Sequence, residues 1–426
     1  MSMFSAALAR PGHTEPVPRR LALAGLAVLT TVNLLNYLDR YVVSALVPDL
    51  EHARMGLTGF RLGTLMTGFI VVYMLTAPLF GALGDRRSRT RWTAAGVALW
   101  SLATTLSGFA HSYLGLLASR AAVGVGEAAY GTIAPSLLAD YFPLARRGRA
   151  FAVFGMAIPV GAALGYVVGG LIDARYGWRP AFFVAGVPGL LLAAAVWRLT
   201  DPPRGVQEGG ARAEPPPAGA ARVYLSLIRR PAYRLTVLGY AAYTFAVGGL
   251  AFWMPDFLER ARGVPATQAT AGFGAIVVAT GFLGTFAGGW IGDLWLRRAR
   301  SAYLWLSALT ALIAVPCALI ALTAHGAPLY YSAIVAAELM LFASTGPINS
   351  EIVNLVAPAE RASAVALSVL AIHLLGDVIS PPLIGLIADR ASLGEAVLIV
   401  PVAIACCAAL WFAAARATAR EAARAA

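Results

Sequence analysis

Lysine is missing from this chain altogether, so each of its 33 basic side chains is an arginine. Charge of either sign is thin: 13% of residues are charged, against the ~25% usual in a soluble domain. A length of 426 residues would by itself suggest two or three soluble domains, but so few charges do not suit such surfaces. Cysteine is scarce as well. Cys317, Cys406 and Cys407 all fall inside apolar runs, which leaves them as small buried hydrophobes with no disulfide framework and no metal-ligand spacing. Nor does the chain carry Gly-x-Ser-x-Gly, His-Glu-x-x-His or a phosphate-cradling Gly-Lys-Ser/Thr. No enzyme, cofactor or metal site is therefore expected, and any uphill work must draw on an ion gradient rather than on ATP.

What the chain has in their place is apolar length. Hydrophobic residues make up 59% of it, in continuous runs, many of them ~20 residues long and so long enough for a helix to cross ~30 Å of hydrocarbon. Membrane barrel strands would alternate over ~10 residues, and these runs do not. Twelve spans can be laid out, at 21–48, 60–84, 92–111, 114–139, 148–172, 180–199, 233–255, 270–292, 301–323, 328–356, 362–388 and 394–415. The expected fold is an all-α membrane protein of twelve transmembrane helices in two pseudo-symmetric six-helix bundles. Its parts are an N-terminal segment (1–20), a first bundle (21–199), a Pro-, Gly-, Arg- and Glu-rich linker (200–231), a second bundle (232–416) and a tail (417–426). The first run is too long for a signal-peptide core and is read as a retained span.

The net charge of +12 invites a nucleic-acid reading, but the arginines sit in short loops on alternate sides of the spans. With the N-terminus inside, 24 arginines fall in inside segments and seven in outside ones, Arg54, Arg175 and Arg390 among the seven. Basic loops are retained in the cytoplasm, so both termini and the linker are expected there. Nucleic acid is not an expected partner.

One stretch is written twice. Gly81, Gly84, Asp85 and Arg89 recur as Gly289, Gly292, Asp293 and Arg297 at a constant offset of 208, each set in a short loop between two spans. Phe142-Pro143 with Arg146 lines up with Val356-Ala-Pro358 and Arg361, and Gly170-Leu-Ile-Asp173 with Gly385-Leu-Ile-Ala-Asp389. Repeats half a chain apart are the mark of a duplicated membrane protein.

The loop Gly-x-x-x-Asp-Arg-x-x-Arg after the second span resembles the signature of the major facilitator superfamily, and twelve spans in two sixes fit it over nearly the whole chain. Asn36-Tyr-Leu-Asp-Arg-Tyr-Val-Val43 followed by Pro48-Asp49 resembles the spinster family, as do Arg120 with Gly124-x-Gly-Glu-Ala128 and Asp140-Tyr-Phe-Pro143. The resemblance implies a bacterial inner-membrane secondary transporter for lysolipids or sphingoid phosphates, expected to act as a monomer. It also implies that Asp85 meets the eleventh span near Arg361 when the cytoplasmic side is closed, with Asp293 meeting the fifth span near Arg146. Gly81, Gly84, Gly289 and Gly292 would allow the close helix approach, and Arg89 and Arg297 complete the two gating loops.

Ionisable residues at membrane depth are costly and need a partner or a wet cavity. Asn33, Asn36, Tyr37 and Arg40 fall on one face of the first span, with Asp39 at its border, and Arg120 and Glu127 share a face of the fourth. Glu127 and Asp39 are the expected proton sites, and Arg40 and Arg120 their counter-charges or the ligands of an anionic head group. A structural ion-pair network would use the same residues. In the second half Glu338 either lines the cavity or makes an interhelical bond, while His373 and Asp377 are spaced to pair. Tyr240, Tyr243 and Thr244 would suit an amphipathic ligand, or simply pack helices. The expected function is proton-coupled transport of an amphipathic anionic lipid by alternating access. A proton-driven drug exporter and a lipid sensor without flux are the alternatives.

Overall fold

The computed structural model describes residues 17–46, 49–50, 55, 57, 59–208 and 219–425. Residues 1–16, Pro48, Arg54 and the Pro-rich part of the linker, 209–218, lie outside the described residues, and the expectations that fall on them go no further here.

All-helical layers follow from the apolar runs. The first bundle consists of span 1 (Arg19–Ala45), span 2 (Gly59–Arg86), span 3 (Arg89–Ser107), span 4 (Tyr113–Tyr141), span 5 (Leu144–Tyr176) and span 6 (Trp178–Trp197). A short linker helix, Ala220–Arg229, runs into span 7 (Pro231–Arg262), which opens the second bundle. Span 8 (Ala266–Leu296) and span 9 (Ala302–Thr323) are continuous, whereas span 10 is split into Ala327–Phe342 and Thr345–Asn354. Span 11 runs from Arg361–Ile372 through a wide turn, His373–Asp377, to Ser380–Ala388, and span 12 is Ile399–Ala425. Among the described residues, ten of these segments are long and apolar enough to cross a membrane. Spans 3 and 4 fall outside that set because they carry the buried polar groups of the first bundle, Thr93, Ser101, Thr104, Arg120 and Glu127 among them.

Both breaks have a local cause. Pro347 has no N–H, and its ring would press on the carbonyl four residues back, so the helix parts after Phe342. The carbonyl of Ala343 lies against Gly288 of span 8, where any side chain would collide with it. In span 11 Pro381 and Pro382 remove two donors from the turn that precedes them, and Gly376 leaves the helical region there at φ −112°, ψ −106°. Close approach sets the rest of the bundle. A Cβ on Gly165 would sit 2.6 Å from the carbonyl oxygen of Leu38, so glycine lets span 5 lie directly on the backbone of span 1.

An even number of spans puts both ends of the described chain and the linker on one side, called here the linker side. On that side the bundles meet along two seams. Span 2 meets span 11 from Gly84 against Ala362 up to Tyr73 against His373, and span 5 meets span 8 from Gly148 against Asp293 up to Pro159 against Gly281.

Candidate functional site

The polar face of span 1 does meet span 4, and the charges pair across the two helices. Arg40 holds Glu127 through both its Nε and Nη2, each at 2.7 Å. Asp39 accepts from Arg120 at 3.2 Å and from the hydroxyl of Thr104 on span 3 at 2.5 Å. The pairing explains why Arg120 and Glu127, two turns apart on one helix, do not bond each other. Their exposures differ in a way that matters. Asp39, Arg120 and the Glu127 side chain are sealed, whereas the Arg40 side chain keeps 18% of its surface.

Arg40 keeps that surface because it faces a cavity of about 130 Å³ between the bundles. Asn33, Asn36, Tyr37, Arg40, Tyr73 and Glu127 line it from the first half, and Tyr240, Thr345 and Asn349 from the second. The Arg40 guanidinium lies 5.0 Å from the ring centres of Tyr37 and Phe69 and 5.1 Å from that of Tyr73, an aromatic cage that suits a desolvated cation. Asn33 donates to the carbonyl of Phe154, and Asn349 links span 10 to the Tyr240 hydroxyl at 3.3 Å. Among the described residues, Glu127 Oε1 and the Arg120 Nε and Nη2 have no hydrogen-bond partner, so the two pairs leave polar capacity unused.

The other second-half candidates lie off the cavity. His373 and Asp377 do pair, at 2.9 Å, but in the wide turn rather than on a regular helix, with the imidazole edge-on to Tyr73 of the first half. Thr244 bonds the carbonyl of Ile372, and Tyr243 faces Thr345. Glu338 is buried in span 10 with no side-chain hydrogen bond among the described residues, and Glu351 on the same span, which the sequence reading passed over, is alike in this. The signal for Asn349 and Glu351 was present. Ser344-Thr-Gly-Pro-Ile-Asn-Ser-Glu351 is a polar stretch inside an apolar run.

Below the cavity the linker side is shut. Asp85 accepts from the backbone N–H of Ala362 and Ser363 at 2.8 and 2.9 Å, and so caps span 11 of the other bundle. Asp293 does the same for span 5, taking the N–H of Gly148 and Arg149, the Arg149 side chain at 2.8 Å and the Tyr303 hydroxyl. Arg146, expected at this contact, is exposed; Arg149 takes its place one helical turn on. Gly81 lies against Ala366, where a Cβ would come within 2.5 Å, and Gly289 against Ala152. The repeat is unequal at its arginines. Arg89 is wholly buried, bonded to Asp140 at 2.5 Å and Asp201 at 2.9 Å, whereas Arg297 is exposed.

Arg361, from the second half, holds the other oxygen of Asp140 at 2.6 Å and Glu208 of the linker at 2.5 Å, and Glu208 also takes Arg147 of span 5. One linker carboxylate thus ties the two bundles. Burial pushes the Glu208 carboxyl up, but the guanidiniums of Arg147 and Arg361 outweigh it and hold it below the ordinary carboxylate value. Arg204 adds bonds to the carbonyls of Gly84 and Arg87. Arg147, Asp140, Asp201 and Glu208 were not singled out as gate residues from the sequence, since nothing in a linear reading brings the linker under the seam.

Residues 29–374 match the model of the Major Facilitator Superfamily. Human protein spinster homolog 1 is 38% identical over 398 residues, 88% of this chain and 74% of that protein. A bacterial homolog to the human lysosomal transporter spinster, solved inward-facing and unoccupied, superposes with a TM-score of 0.65 at 24% identity, covering 94% of this chain and 98% of that one. The major facilitator transporter FucP in its outward conformation gives 0.73 at 19% identity, over 92% and 99%.

Proposed function

Because the chain belongs to the major facilitator superfamily, and within it to the spinster family, we propose that it moves an amphipathic anionic lipid of the lysophospholipid or sphingoid-phosphate type by alternating access, coupled to protons. The observation that carries this reading is the Arg40–Glu127 pair, with its cation turned to the cavity and its carboxylate behind. An incoming phosphate can take the guanidinium fork from Glu127. A carboxylate stripped of its counter-charge in a dry wall then binds a proton from the open side, so anion and proton are loaded together. Arg40 keeps its charge throughout. Tyr37, Tyr73 and Tyr240 give the acyl or sphingoid chain aromatic walls with hydroxyl edges. Asp39 and Arg120, sealed one layer deeper, keep span 1 aligned on spans 3 and 4 and serve as the second carboxylate–guanidinium set.

The arginine excess supports placing the termini, linker and both repeated loops in the cytoplasm. A monomer in a bacterial inner membrane is part of the same proposal. On that placement the state described here is shut toward the cytoplasm. The test is uptake of labelled lysophospholipid into proteoliposomes with and without an imposed pH gradient, for wild type and Glu127→Gln. Gradient-driven uptake that Glu127→Gln loses is the expected result. Uptake indifferent to the gradient and to Glu127 would remove proton coupling, and no uptake at all would remove the lipid.

A further inference from the structure

The linker helix Ala220–Arg229 has three faces where a loop helix needs only two. Its sequence is Ala-Ala-Arg-Val-Tyr-Leu-Ser-Leu-Ile-Arg. Val223 and Leu227, four apart, are fully covered by the bundle. Turning about the axis from them, Tyr224, Ile228, Ala221 and Leu225 follow on one side, and Arg229 and Arg222 on the other. Leu225 and Ile228 keep 49% and 46% of their surface, and Arg222 and Arg229 are exposed. Covering the bundle therefore uses the Val223/Leu227 stripe and the adjoining Tyr224, and leaves Leu225 and Ile228 over.

The direction of the second apolar face is fixed by Tyr224. Its hydroxyl donates to the carbonyl of Pro78, about two turns back along span 2 from the end of that span at Arg86. The Tyr224 side of the helix thus faces the interior of the apolar layer. Leu75 and Leu79 of span 2, beside that anchor, are 64% and 59% exposed and belong to the surface that lipid must cover. Leu225 and Ile228 continue this surface to its edge. With ~100° per residue, Arg229 and Arg222 follow Leu225 by about 40–60° on the side away from Tyr224 and so flank this face, and Arg230, the next residue, is held by Glu360 at 2.8 Å just before span 11 begins. Pro231 then starts span 7 without a gap.

We propose that Ala220–Arg229 is a membrane-surface helix whose partner is the anionic phospholipid head groups of the leaflet on the linker side. Leu225 and Ile228 enter the acyl boundary, while Arg222 and Arg229 take head-group phosphates, the arrangement in which an interfacial helix gains from both apolar burial and surface charge. Through Tyr224 on span 2 and Arg230 on the residue ahead of span 11, the helix is pinned to both sides of one gate seam.

The experiment reads depth, so its outcome is independent of what the protein transports. Nitroxides are placed through Leu225→Cys, Ile228→Cys and Arg222→Cys in the full chain, with Cys317, Cys406 and Cys407 replaced by Ala. The protein is held in nanodiscs of phosphatidylcholine alone or with phosphatidylglycerol. The expected result is that oxygen relaxes the labels at 225 and 228 more than a nickel chelate does, with the reverse at 222. Phosphatidylglycerol deepens 225 and 228 further, and Arg222→Gln with Arg229→Gln loses that lipid dependence. Both replacements lie on the exposed face and leave the core contacts intact. Nickel reaching 225 as freely as 222 in both lipids would overturn the proposal, as would a full phosphatidylglycerol response in the double Gln variant.

Discussion

The two gate aspartates make a quantitative prediction, because each is an anion that caps a helix of the opposite bundle only when the gate is shut. Replacing Asp85 by Asn leaves one oxygen for two backbone donors, and sets an NH2 group against the other N–H of span 11. Hydrogen bonds to a charged group are worth about 1.5–3 kcal/mol each, and a buried charge at a helix N-terminus up to ~2 kcal/mol. An opened gate lets water solvate the side chain in either form, so the cost falls on the shut state alone. A loss of about 2–3 kcal/mol converts to a shut-to-open ratio lowered roughly 30- to 150-fold. Asp293 accepts from three donors of the opposite bundle against the two of Asp85, so Asp293→Asn should shift the ratio further. The assay is pulsed electron resonance between nitroxides at Arg87 and Arg297, both exposed and on opposite bundles. A new population of longer distances is expected in each variant, larger for Asp293→Asn. Wild-type distance distributions in both would refute the capping argument.

Glu208 gives a pH signature. Its carboxyl is held below the ordinary value in the shut state, so its contribution to closure is fully present above about pH 4.5 and fades as pH falls through the depressed value. The difference between wild type and Glu208→Gln in the same distance measurement should therefore be constant from pH 7 to 5 and shrink only in stronger acid. Arg89→Ala takes one of two guanidiniums from Asp140, which Arg361 still holds, and the side-chain donor from Asp201, and should cost about 1.5–3 kcal/mol, while Arg297→Ala stays within ~0.5 kcal/mol; thermal unfolding in detergent compares the two. Gly165→Leu forces a side chain onto the backbone of span 1 and should destabilise by about 1–3 kcal/mol or more, read the same way.

The parts legible in the sequence were those with a period or a repeat. Apolar runs located most of the spans to within a few residues, though span 7 runs seven residues and span 12 ten residues past the expected end, and the family resemblance, carried across the repeat, implied the two matching contacts that Asp85 and Asp293 make. Span-deep charges named Asp39, Arg40, Arg120 and Glu127, because an ionisable group in hydrocarbon needs a partner and only a few were present. What stayed hidden depends on three-dimensional proximity with no linear mark. Asp201 and Glu208 sit in a stretch that reads as spacer, yet their carboxylates close the space under the bundles. Arg297 copies Arg89 in position and not in burial, since a repeat preserves helix geometry more faithfully than the neighbours a side chain meets.

The count of charges in the shut gate has an electrical consequence. Arg89, Arg147 and Arg361 stand against Asp140, Asp201 and Glu208, and Arg40 and Arg120 against Glu127 and Asp39. Each set balances when ionised. A unit charge crossing the full membrane potential exchanges about 2.3 kcal/mol per 100 mV, and a balanced set moving together exchanges almost none. In the proposed alternating cycle these two sets therefore add almost no voltage dependence to the return of the unloaded protein, and the buried carboxylates of Glu338 and Glu351 in span 10 are the charges that stand outside the balance.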